Sequence, residues 1–229
     1  MNALITYNFG DYLQGHARES LQHAAGRWGC EYVEVTKQIP CRDGIALHPW
    51  WQRIVLYEEV VDGYERVITV DGDILIRDDC QSLFDLVPVE HAGIAKFMQP
   101  GIAKKCCSEE LRTANRYAIE LGLKIPPVTS LVNCGLVVSS PKTFLPIVRE
   151  LVAAGKFVGW TTHGNFDQAI MSTLLYNHGL PEVSLIPWEY HARRAAHRPP
   201  KMNAYVYHFS STEKKPYHYY LNKCQWRTQ

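Results

Sequence analysis

Asp71 and Asp73 are the residues of this chain whose type and spacing most directly suggest chemistry. They stand two apart in Val70-Asp71-Gly72-Asp73, at the end of the short apolar run Arg66-Val67-Ile68-Thr69-Val70. In an extended strand that spacing puts both carboxylates on one face. Carboxylate oxygens suit hard divalent cations such as Mn²⁺ and Mg²⁺. Such a cation can bridge two phosphates and neutralise charge as a diphosphate leaves. The same segment has a second reading, because Asp-Gly between the apolar runs Ile68-Thr69-Val70 and Ile74-Leu75-Ile76 is also a hairpin signal. A distant segment bears on the choice. Tyr205-Val206-Tyr207-His208-Phe209 reads as a strand, and Lys214 and Lys215 follow it. A neutral imidazole at His208 can complete the ligand set of a metal held by two carboxylates. A lysine a few residues on can reach a diphosphate as a compact cation. A lone histidine at a strand end can equally be a packing residue.

The elements that must position these residues alternate between strand and helix. Ala3 to Tyr7 reads as a buried strand, and Leu13, Ala17, Leu21, Ala24, Ala25 and Trp28 then recur at helical spacing up to Gly29. Glu31 to Val35 alternates like a strand, and a helix containing Trp51, Ile54 and Val55 ends near Gly63. Beyond the acidic pair, strands are expected at Ala92 to Phe97, at Val132 to Ser139 with a break at Asn133-Cys134-Gly135, at Val183 to Ile186 and at Tyr205 to Phe209. Helices are expected around Leu111 to Leu121, Phe144 to Leu151 and Phe166 to Leu174. This order predicts an α/β fold with a mostly parallel central sheet flanked by helices. Ligands in such sheets bind beyond the carboxyl ends of the strands, which is where Asp71 falls.

A length of 229 residues suits one domain. The expectation is a single domain over 1–229, with a nucleotide-binding half over 1–80 that ends in the acidic pair. Residues 81–229 then form a sugar and acceptor half that closes with the His/Lys segment. A net charge of +1 gives no basic excess, so no nucleic-acid partner is expected. No run approaches the roughly 20 apolar residues of a membrane span. The N-terminus lacks a basic stretch followed by an apolar one, so no signal peptide is expected and the domain is taken to begin at Met1. The seven cysteines are odd in number and form no CxxC pair. They predict reduced thiols in a cytoplasmic protein rather than a disulfide framework or a zinc site, with Cys106-Cys107 a redox pair only as an alternative to packing. The tail from Tyr217 to Trp226 mixes aromatic and basic residues, and packs onto the domain or touches a membrane interface.

Four segments together resemble glycosyltransferase family 8, the glycogenin and lipopolysaccharide galactosyltransferase type, with its GT-A fold. Arg66 to Asp73 resembles the family's strand running into Asp-x-Asp, and Val132-Asn133-Cys134-Gly135-Leu136 resembles its Phe-Asn-x-Gly segment. Asn165-Phe166-Asp167-Gln168-Ala169 resembles its Asp-Gln helix, and His208 to Tyr217 its closing His-Phe-x-Gly-x-x-Lys-Pro-Trp. The four occur in the family's order. Gly72, Cys134, Ser211 and Tyr217 depart from it.

The resemblance implies a metal-dependent glycosyltransferase that takes a nucleotide-diphosphate sugar, with uridine as the nucleoside. The sugar passes to a hydroxyl of a glycan, glycolipid or protein with retention of anomeric configuration. Asp71, Asp73 and His208 would then bind Mn²⁺ or Mg²⁺, and Lys215 the diphosphate. Tyr7 and Asn8 would lie near the base and ribose, and Arg53 near the phosphates or sugar. Asn133, Asp167 and Gln168 would surround the donor sugar at the reacting face. Competing readings are a sugar-nucleotide nucleotidyltransferase, a glycoside hydrolase and a non-catalytic module that kept the fold. The first would need a Gly-rich, basic N-terminal loop, whereas Asn8-Phe9-Gly10-Asp11 has one glycine and no nearby cation. The intact acidic pair, His208 and Lys215 speak against the last.

Overall fold

The structure is a computed structural model that describes residues 1–9, 15–39, 41–42, 45–47, 49–96, 104–154, 166–178, 183–187, 192–193 and 204–208. The chain opens with β1 (Asn2–Tyr7), α1 (Gly15–Arg27) and β2 (Glu31–Val35), then the small pair β3 (Cys41–Arg42) and β4 (Ile45–Ala46). Next come α2 (Pro49–Val61), β5 (Arg66–Val70), β6 (Ile74–Ile76), α3 (Leu83–Leu86), β7 (Ala92–Lys96) and α4 (Lys104–Leu121). A 3₁₀ turn at Val128–Ser130 leads into β8 (Val132–Ser139), α5 (Pro141–Ala154), α6 (Phe166–His178), β9 (Val183–Ile186), β10 (Ala192–Arg193) and β11 (Val206–His208).

The main sheet has six strands in the order β2-β1-β5-β8-β7-β9. The β1–β2, β1–β5 and β7–β9 pairs are parallel, and β8 runs antiparallel to both neighbours, β5 and β7. The expected mostly parallel sheet therefore stands, with β8 as its reversed member. The predicted break at Asn133-Cys134-Gly135 takes the form of a bulge. β8 runs unbroken along β5, but toward β7 its pairing jumps from Val137 to Asn133 while β7 advances only from Ile94 to Ala95, which leaves Cys134, Gly135 and Leu136 out of that ladder.

Both faces of the sheet are covered, which is why its strands read as apolar runs. Alternation sorts the side chains. Ala3, Ile5 and Val67 face a core built with α2, α4, α5 and α6, whereas Leu4, Ile68 and Val70 face one built with α1, α3 and β6. Leu21 and Ile68 on the second side are fully buried, each contributing about 1.5–3 kcal/mol of transfer free energy. The helix stops follow the sequence: Gly29 and Gly63, just past α1 and α2, take φ of 63° and 81°, which a side chain would oppose.

A second sheet of three strands, β10-β11-β6, carries the continuation of the acidic segment. Ser20 of α1 clamps β6 in both directions, since its hydroxyl donates to Ile76 O at 2.9 Å and accepts from Ile76 N at 2.7 Å. Asp71 to Asp73 is therefore a turn that passes the chain from one sheet to the other. The hairpin reading fails, because β5 and β6 do not pair.

Candidate metal centre

Register brings the two distant halves of the site together. Asp71 N donates to Gly135 O at 2.8 Å, which continues the β5–β8 ladder by one residue. Ile74 N donates to Asp71 O at 3.3 Å, closing the turn. β6 then pairs antiparallel with β11 so that His208 stands opposite Ile74, directly beside the acidic turn. His208 Nε2 lies 3.4 Å from Asp71 Oδ2 and 3.3 Å from Asp73 Oδ1. One ligand atom from each of the three residues lies within 4.8 Å of the others.

The donor set fits a hard or borderline divalent ion: two carboxylates and one imidazole. Asp73 Oδ1 is buried and has no well-formed hydrogen bond among the described residues, its near polar neighbour being His208 Nε2 at 3.3 Å. A buried carboxylate oxygen left in that condition is costly, and a cation would relieve it. The imidazole reports the same excess of negative charge. Burial of His208 pulls its pKa down, but Asp73 and Asp71 more than reverse this, and the net value is raised to about 9. Arg53, projecting from α2, places Nη1 2.6 Å from Asp71 Oδ1 and supplies part of the missing positive charge.

Gly135 is the functional residue that sequence reasoning missed as an individual. A Cβ there would lie 2.2 Å from His208 Cε1 and 2.9 Å from Asp71 Oδ2. His208 is only 3% exposed, so its ring could yield only by leaving its place beside the two carboxylates. The available signal was a glycine inside an apolar strand, which marks close approach.

The other expected residues fall in three places. Asn133 and Gln168 are both buried, and Asn133 Nδ2 donates to Gln168 Oε1. Asn133 Oδ1 in turn accepts from Gly135 N at 3.0 Å, so this amide pair is joined to the strand segment beneath His208. Asp167 opens the same helix, α6, and its side chain lies outside the described residues. Tyr7 ends β1 with its hydroxyl buried and, among the described residues, without a hydrogen-bond partner, in a cavity it shares with Arg53. Asn8 is engaged elsewhere. Its Nδ2 donates to Glu34 Oε1 at 2.8 Å, and Arg18 holds the same carboxylate with bonds of 2.8 and 2.9 Å. Hydrogen bonding from Arg18, opposed by partial burial and aided by Asn8, lowers the Glu34 pKa to about 2. Lys215 and the tail from Tyr217 to Trp226 lie outside the described residues.

No protein-family model matches the chain, and no curated protein sequence matches it. Solved structures do. The chain is similar to a glycosyltransferase involved in glycosylation of the major capsid of PBCV-1, with TM-score 0.62, 10% identity, and coverage of 95% of this chain and 98% of that one. It is also similar to the galactosyltransferase LgtC, solved with donor and acceptor sugar analogs, with TM-score 0.56, 13% identity, and coverage of 99% and 96%. Mouse xyloside xylosyltransferase 1 follows with TM-score 0.55, 13% identity, and coverage of 92% and 98%. At these identities the likeness concerns architecture, and it spans nearly the whole of each chain: the protein has the GT-A glycosyltransferase fold.

Proposed function

We propose that the protein is a metal-dependent glycosyltransferase of the family 8 type, which transfers a sugar from a nucleotide-diphosphate donor to a hydroxyl acceptor. The observation that carries this reading is the convergence of Asp71, Asp73 and His208 within 4.8 Å at the carboxyl end of the interior strand β5 of a GT-A-like sheet. A uridine diphosphate sugar is the preferred donor, and Mn²⁺ or Mg²⁺ the preferred ion. Asp71, Asp73 and His208 would hold the divalent ion, which when bound would supply charge neutralisation for the departing diphosphate. Arg53, already bonded to Asp71, adds a fixed cation where negative charge develops. Lys215 serves the diphosphate from the closing segment. Asn133, Asp167 and Gln168 hold the reacting face of the sugar, and the bonded pair Asn133–Gln168 fixes two of these groups before the donor arrives.

In the transfer itself, the bond from the anomeric carbon to the phosphate oxygen breaks and a bond to the acceptor oxygen forms, through an oxocarbenium-like state. The electron pair leaves with the nucleoside diphosphate, and the acceptor proton goes to that leaving group or to solvent. Configuration is retained.

The test is turnover of a panel of nucleotide sugars with Mn²⁺, compared between wild type and Asp73→Ala. The proposal predicts nucleoside diphosphate release by wild type and at least a hundredfold loss in the variant, in the range seen when one strong electrostatic group is removed. Equal turnover by the two proteins would refute the assignment, as would release of inorganic pyrophosphate from a nucleoside triphosphate. Proton NMR of the first product checks retention.

A further inference from the structure

Beside the metal centre lies a half-open cavity of about 40 Å³, set between β5 and β8 on one side and α2, α5 and α6 on the other. It shares a wall with the centre, because Arg53 lines it while bonding Asp71, and because Val70 and Cys134 immediately precede Asp71 and Gly135. Its floor is apolar, made by Val137, Phe144, Val148 and Met171, all nearly inaccessible. Against this floor stands the buried hydroxyl of Tyr7, which has no hydrogen-bond partner among the described residues. No described residue pairs with it: the Tyr57 hydroxyl pairs with Ser139 Oγ at 2.9 Å, and a guanidinium could only donate to the Tyr7 oxygen, leaving its O–H proton without an acceptor.

We propose that this cavity receives the acetamido group of a 2-acetamido donor sugar, with the Tyr7 hydroxyl donating to the acetamido carbonyl and the methyl lying on the apolar floor. The inference rests on the transferase reading above and narrows its substrate class. Size supports it. At roughly 10–15 Å³ per water-sized site, the cavity has room for about three such groups, which matches the carbonyl carbon, oxygen and methyl of an acetamide. Chemistry supports it too. A hydroxyl or hydroxymethyl would satisfy Tyr7 and leave the apolar floor wet, and a plain methyl would cover the floor and leave Tyr7 unpaired. An acetamide does both. Arg53 joins the cavity to the acidic triad, which places the occupant on the donor and assigns Tyr7 to the donor sugar rather than to the base and ribose, where the family resemblance puts it.

The experiment is isothermal titration of the full chain with Mn²⁺ and UDP, UDP-glucose, UDP-galactose, UDP-N-acetylglucosamine and UDP-N-acetylgalactosamine. We expect one acetamido donor to bind about tenfold tighter than its hydroxyl counterpart. Tyr7→Phe should reduce that ratio to about one. The substitution removes an unpaired buried hydroxyl, so the fold is expected to persist, and circular dichroism checks it. Equal binding of acetamido and hydroxyl donors by wild type overturns the inference and leaves the transferase reading standing. Failure of every uridine ligand, UDP included, overturns the inference together with the uridine donor, and the nucleotide-sugar turnover panel then decides the transferase reading separately. An unchanged ratio in Tyr7→Phe overturns the role of Tyr7 and hence the proposed pose. Binding of methyl N-acetylglucosaminide without nucleotide, lost in Tyr7→Phe, would assign the cavity to the acceptor and overturn the donor assignment.

Discussion

At the scale of single residues, the site depends as much on an absent side chain as on those present. Gly135 leaves the space into which His208 and Asp71 pack. Gly135→Ala is therefore expected to keep the fold, judged by circular dichroism, and to weaken Mn²⁺ binding at least tenfold by displacing the His208 ring. Unchanged Mn²⁺ affinity would show that the ring can yield without cost. Glu34 allows a prediction about pH. Its folded pKa is lowered to about 2 from an ordinary value near 4.5, with hydrogen bonding from Arg18 the largest cause. A lowered carboxyl pKa stabilises the fold fully above the unfolded value, and that contribution fades as pH falls from about 4.5 toward 2. Arg18 is 40% exposed, so screening keeps the contribution near 1 kcal/mol. Urea denaturation of wild type against Glu34→Gln should show a gap of this size at pH 7 that closes at pH 2. A gap independent of pH would contradict the ion-pair account.

At the scale of elements, long-range ties set the position of the acidic turn. Arg66, at the start of β5, is 9% exposed and donates to Phe84 O at 2.7 Å and to Val87 O at 2.5 Å, fastening the end of α3 to the sheet. Charged hydrogen bonds of this kind are worth about 1.5–3 kcal/mol. Arg66→Met should lower stability by about 2 kcal/mol in a urea titration, and a change below about 0.5 kcal/mol would show the clasp to be idle. Ties like this mark the limit of what the sequence discloses. The helices were legible because Leu21, Tyr117, Ile147 and Ile170 sit in buried stripes with a helical repeat, and Gly29 and Gly63 punctuate them. β6 was not legible as the partner of β11, nor β8 as an antiparallel strand, because strand pairing depends on contacts remote in sequence. The Asp-Gly turn misled for the same reason, since a turn between apolar runs looks alike whether the strands pair with each other or diverge.

At the scale of the whole molecule, the closure of a second sheet onto the first gives the site its form. Asp71 and Asp73 leave the main sheet at the end of β5, and His208 returns to them from the far end of the described chain. Residue types offered that convergence as one of two readings for each half, and the resemblance of four ordered segments joined Asp71, Asp73 and His208 into one ligand set. The Arg53–Asp71 bond and the space over Gly135 were not legible, because both depend on how α2 and β8 sit against β5. The three ligand atoms converge within 4.8 Å, so the side chains are expected to act as one ion-binding unit. The most direct test is Mn²⁺ binding followed by electron paramagnetic resonance in the presence of UDP. The account predicts one bound ion per wild-type chain, and its loss both in Asp73→Ala and in His208→Ala. A wild-type chain that binds no Mn²⁺, or an Asp73→Ala chain that still binds one, would contradict it.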